Sequence, residues 1–112
     1  MNYYSEAQGG VLREALEAQV LHWPEVSARR MFGCPAYTAD GRLFVFVVNE
    51  GLVLTQLRLH DRQILAEEFA VEPFKAGERV LNHWLKVAVT DLEKLPRLRR
   101  FVQRSYEEAL RY

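Results

Sequence analysis

Ala36-Tyr37-Thr38-Ala39-Asp40-Gly41-Arg42-Leu43-Phe44-Val45-Phe46-Val47-Val48 is the stretch that decides the fold. Both central residues of a tight type I′ turn need positive φ, which Asp tolerates and Gly adopts freely. Asp40-Gly41 therefore joins Ala36 to Ala39 with Arg42 to Val48 as a hairpin. Leu43 to Val48 is apolar at every position, the pattern of a central strand covered on both faces, and one face should carry helices.

Working outward, β-branched and aromatic residues dominate from Val26 to Gln56, which reads as the sheet. Asn49-Glu50-Gly51 predicts a three-residue hairpin with Gly51 in the left-handed position, followed by a strand from Leu52 to Gln56. A three-strand meander results. Upstream, Val11, Leu12, Ala15, Leu16, Gln19, Val20 and Trp23 form one stripe of a first helix, closed by Pro24. The helix-weakening pair Gly9-Gly10 sets its expected regular start just beyond, with Ser5 as an earlier capping choice.

Downstream, His60 to Phe69 reads as a second helix, with Ile64, Leu65 and Phe69 on one side. After Val71-Glu72-Pro73-Phe74 a turn at Gly77 leads to a last strand at Trp84 to Val89, with Lys86 toward solvent. Thr90-Asp91-Leu92-Glu93 has capping-box spacing and Pro96 suits a first helical turn. The terminal helix carries Leu98, Phe101, Val102, Ser105, Ala109 and Tyr112 on one face and Arg100, Arg104, Glu108 and Arg111 opposite. The fold class is α+β: an antiparallel β-meander sheet with N- and C-terminal helices packed on it.

Composition bounds the function. At 112 residues, 49% hydrophobic and 27% charged, the chain reads as one globular domain, 1–112. Fifteen basic residues balance fifteen acidic ones, so the net field that draws proteins to nucleic acid is absent. The longest apolar run is far short of the roughly 20 residues of a membrane span. The first residues lack the pattern of a secretion signal, and a lone Cys34 suits a reducing compartment, so a cytoplasmic location is expected. The glycines form no nucleotide fingerprint, and His22, His60 and His83 lack metal-pair spacing. No cofactor and no metal are expected.

Three groups of residues could carry function. Cys34 or His83 would serve an enzyme only if a base or carboxylate met them in space; packing and surface roles are favoured for both. Arg97, Arg99, Arg100 and Arg104 could contact nucleic-acid phosphates, although i, i+4 pairing of Arg104 with Glu108 and of Glu107 with Arg111 offers an internally neutralised face instead. Arg29, Arg30, Met31, Phe32 and Gly33 form an interaction candidate, since paired guanidinium groups hold carboxylates or phosphates. On a strand, those two arginines point oppositely.

The segments Arg29-Arg30-Met31-Phe32-Gly33-Cys34-Pro35-Ala36-Tyr37 and Asp40-Gly41-Arg42-Leu43-Phe44 resemble the N-terminal domain of the TfoX (Sxy) family, which includes regulators of bacterial competence. Leu52 to Leu54, Arg62, Glu72-Pro73-Phe74 and Gly77 to Trp84 look like its continuation. Cys34 stands where that family often has glycine, and the family's separate C-terminal domain has no counterpart here. The resemblance implies a standalone α/β sandwich like that of YjbR-type domains, some of which bind DNA. Within it, Gly33 supplies an unusual backbone angle and Pro35 fixes the next, steering the chain into the meander. The function expected is a non-enzymatic regulatory or protein-interaction module that binds an unidentified protein or itself, as in a homodimer. A YjbR-like nucleic-acid-binding domain using the C-terminal arginines is the alternative.

Overall fold

The computed structural model describes residues 2–111. Its elements are α1 (Glu6–Val20), β1 (Val26–Met31), β2 (Cys34–Ala39), β3 (Arg42–Val48), β4 (Gly51–Leu54), α2 (Leu59–Glu68), β5 (Val71–Ala76), β6 (Arg79–Ala88) and α3 (Leu95–Ala109). A 3-10 turn at Leu92–Lys94 leads into α3. One six-stranded antiparallel sheet has the order β1-β2-β3-β4-β6-β5. This is the α+β arrangement expected, with a helix at each end of the chain.

Two tight turns build the meander. Asp40 (φ 51) and Gly41 (φ 83) make the anticipated type I′ turn between β2 and β3. Phe32 (φ 54) and Gly33 (φ 75) make another of the same sign between β1 and β2. The meander thus has four strands rather than three, because Val26–Met31 pairs with β2 from Val26↔Ala39 to Met31↔Cys34.

Directly opposed residues share a face of the sheet. Tyr37, Val45, Leu54 and Leu85 form one such row, and α1 lies over it, since the Tyr37 hydroxyl donates to Glu17 Oε2 at 2.7 Å. Ala36, Phe46 and Val53 form a row on the other face. Between these strands the register slips: Tyr37 opposes Val45 while Thr38 opposes Leu43, leaving Phe44 as an extra residue. Two residues apart on a regular strand would share a face. The bulge instead turns Phe44 toward Trp23 (6.5 Å between ring centroids) and Tyr106 of α3 (5.5 Å), while Phe46 meets Phe74 (5.1 Å) and Trp84 (5.8 Å).

Buried Leu95, Leu98, Phe101, Val102, Ser105, Tyr106 and Ala109 dock α3 on β3 and its neighbours. Ser105 is the polar fastening: its Oγ donates to the Phe44 carbonyl at 2.7 Å and accepts from the Gln56 N–H at 3.1 Å. Tyr106 adds a bond to the Pro24 carbonyl at 2.7 Å. Tyr112, placed by the sequence at the end of this stripe, lies outside the described residues.

Several expectations are corrected. Gly51 is not left-handed; it opposes Val48 across a two-residue turn and opens β4. Its glycine is required by close approach, because a Cβ there would sit inside van der Waals range of the Val87 carbonyl oxygen on β6. Gly9 and Gly10 lie within α1, which starts at Glu6, and the Tyr4 ring and the Glu6 side chain occupy the space that a Cβ would take at each. Val11 leaves the apolar stripe at 67% exposure, and Trp23 reaches the core from the turn after the helix. The last strand begins at Arg79, not Trp84, and pairs with β5. Asp91, rather than Thr90, caps the turn before α3 by accepting from the Glu93 N–H at 3.0 Å. Among the described residues no helix is long and apolar enough to cross a membrane.

Candidate functional site

The Arg29 to Gly33 segment forms the end of β1 and its turn into β2. Ser27, Ala28, Arg29 and Arg30 are all exposed, as befits a strand at the edge of the sheet. Arg30 Nη1 donates to the Gly33 carbonyl at 3.0 Å, bracing the turn, and Met31 packs half-buried against the core. Phe32 is the unusual member. A bulky residue at positive φ is strained, yet Phe32 holds φ 54 and remains 45% exposed.

Its ring is held by other rings: Phe74 at 6.0 Å, Tyr3 at 6.1 Å, and Phe46 and Trp84 each at 6.4 Å. Phe74 belongs to β5, at the opposite edge from β1, so the sheet curls until its two ends share one aromatic cluster. Tyr3 also fastens this cluster through its hydroxyl, which accepts from the Gly77 N–H at 2.8 Å. The result is an apolar platform with Phe32 at its rim, beside two exposed arginines.

On the α1 side of β1 lies a groove of about 590 Å³ lined by Glu6, Arg13 and Glu17 of α1, by Ala28, Arg29 and Arg30 of β1 and by Pro35 and Tyr37 of β2. Arg13 ties the two carboxylates together, at 2.6 Å from Glu6 and 2.9 Å from Glu17. Its hydrogen bonds hold the Glu6 carboxyl below the usual range, and Tyr4 donates to the same carboxylate. Burial, followed by the bond to Glu17, raises the Tyr37 phenol, so it stays a donor. This network is only partly legible in the sequence. The Arg13 to Glu17 spacing was a visible signal; the approach of Tyr37 was not.

The C-terminal arginines do not form one cluster. Arg97, Arg100 and Arg104 recur at three and four residues on one flank of α3, and Arg99 projects from the other. The Arg97 guanidinium lies 5.0 Å from the Phe69 ring, while Arg100 pairs with Glu68 and covers Phe101 at 4.7 Å. Arg111 pairs with Glu108 at 3.9 Å.

Cys34 is buried, donates toward the Phe32 carbonyl at 3.7 Å, and has its thiol pushed up to about 11 by burial. His83 is exposed where β6 bulges against β5. Among the described residues no three His, Cys, Asp or Glu side chains converge on a metal-sized space.

A curled antiparallel sheet with a helix at each end of the chain, and an aromatic cluster beside two exposed arginines, defines an α+β domain. The chain belongs to the TfoX N-terminal domain family, whose model matches residues 18–109. No curated protein sequence and no solved structure matches it.

Proposed function

We propose that this TfoX N-terminal domain is a non-enzymatic regulatory module that binds another protein, or a second copy of itself, through Arg29, Arg30, Met31, Phe32 and Gly33. The observation that carries this reading is Phe32, an exposed aromatic residue kept at φ 54 by four neighbouring rings. Turn geometry alone would favour Asn at that position. A protonated, buried Cys34 also weighs against nucleophilic chemistry.

The test separates folding from binding. Phe32→Asn removes the ring but suits the turn, so the variant should fold while losing its partner. Light scattering after size exclusion and capture from cell lysate should detect a dimer or a retained protein with the wild type alone. A strictly monomeric wild type that retains nothing would overturn the reading.

A second reading, nucleic-acid binding, draws support from Arg97, Arg100 and Arg104 on one flank of α3. It predicts duplex DNA binding that weakens steeply with salt and is lost when Arg97 and Arg104 become Ala. Absence of binding at low salt rejects it.

A further inference from the structure

We propose that β1 receives an extended acidic segment of a partner protein, which adds to the sheet as a further strand and sends its carboxylates to Arg30 on the α1 side. This rests on the reading that the Arg29 to Gly33 surface binds a protein, and it specifies how.

The phase of the β1 ladder identifies the groups available. In antiparallel pairs, alternate residues direct both N–H and C=O toward the partner strand, and those between direct them away. The Asp40 N–H donates to the Glu25 carbonyl at 3.0 Å, and the two-residue turn closes on Met31 and Cys34. Glu25, Ser27, Arg29 and Met31 therefore bond to the β2 side, and Ala28 and Arg30 present their backbone groups outward. Val26 uses its N–H locally, donating to the Trp23 carbonyl at 3.3 Å. Among the described residues β1 ends the sheet, so Ala28 and Arg30 offer an unextended ladder.

Sheet edges are commonly blunted by proline or charge. β5, the other edge, carries Pro73 with Glu72 and Lys75, a proline and both signs of charge. β1 has no proline, and its charges are of one sign, Arg29 and Arg30, beside the small residues Ser27 and Ala28. A second copy pairing here would bring four guanidinium groups to one seam, which like-charge repulsion opposes. An acidic strand is favoured by the same charges. The groove beside α1 gives its side chains room. Arg13 is already shared by Glu6 and Glu17, so Arg29 and Arg30 are the groove's other cations, and Arg30, two residues from Ala28, shares the face of the sheet that carries Tyr37 and meets an incoming carboxylate there.

The experiment is amide hydrogen exchange by NMR on the full chain, with a synthetic peptide of alternating glutamate and valine, about eight residues long. The peptide should slow exchange at Ala28 and Arg30 by at least about tenfold, and an alternating lysine and valine peptide should not. Ala28→Pro removes one outward N–H without touching the β2 ladder and should abolish protection at Arg30. Arg30→Glu should reverse the preference toward the lysine peptide. Unchanged exchange at both residues, or equal protection by both peptides, overturns strand addition. If Ala28→Pro still captures a partner that Phe32→Asn loses, strand addition fails while the interaction reading stands.

Discussion

Replacing Ser105 with Ala should cost about 2 kcal/mol, far more than the loss of one hydroxyl on an exposed helix. The Oγ serves two backbone groups, donating to the Phe44 carbonyl and accepting from the Gln56 N–H. The Phe44 carbonyl keeps a second donor, the Thr55 N–H at 3.2 Å, so its loss is small, about 0.5 kcal/mol. With Ser105 as the partner identified for the Gln56 N–H, leaving that half-buried donor unpaired costs about 2 kcal/mol. Alanine returns about 0.5 kcal/mol through its better helix propensity. The net loss lowers the folded-to-unfolded ratio about thirtyfold. Urea unfolding followed by tryptophan fluorescence suits the measurement, because Trp23 packs on Phe44 and Tyr106 beside the fastening. The midpoint should fall with an unchanged slope. A loss under about 0.5 kcal/mol would mean that water replaces Oγ at no cost and would refute the reasoning.

Gly51→Ala should be worse than Gly33→Ala in thermal melts, since the first meets the Val87 backbone while the second meets open space and loses only about 1–2 kcal/mol from its φ of 75; the reverse order would discredit the close-approach account of Gly51. Arg13 depresses the folded pKa of Glu6, so its contribution is present above the ordinary carboxylate pKa and is lost as pH falls through the folded value. The Tm of wild type should therefore drop more on acidification than that of Glu6→Gln, and parallel curves would contradict it. The Cys34 thiol is raised to about 11, so its stabilising effect is complete below the unfolded pKa of about 8.5 and fades as pH climbs through the folded value. Iodoacetamide at mildly alkaline pH should modify Cys34 only as fast as the protein opens; immediate alkylation would show an accessible thiolate.

What could be read from the sequence depended on whether a feature is local. Asp40-Gly41 announces its turn because both residues favour positive φ, whereas Phe32-Gly33 hides an equivalent turn behind an aromatic residue held by distant rings. Gly51 reads locally as a turn residue because the strand that crowds it, β6, lies more than thirty residues away in the chain. The bulge at Phe44 has no local signature, since Leu43 to Val48 is uniformly apolar and fits either register. β5 carries no alternating signal of its own, since Pro73 and its charged neighbours suit an edge rather than a central strand. At the candidate site, Arg29 to Gly33 is legible because it is one contiguous segment. The groove beside it joins Glu6, Arg13 and Glu17 to Tyr37, residues brought together only when α1 crosses β2.

The most direct test of the account is hydrogen exchange of the full chain alone and in complex with the partner it captures. Protection should concentrate at Ala28 to Gly33 and leave the α3 flank of Arg97, Arg100 and Arg104 unchanged. Protection on that flank with none at the β1 edge would contradict the assignment of function to the turn held by Phe32.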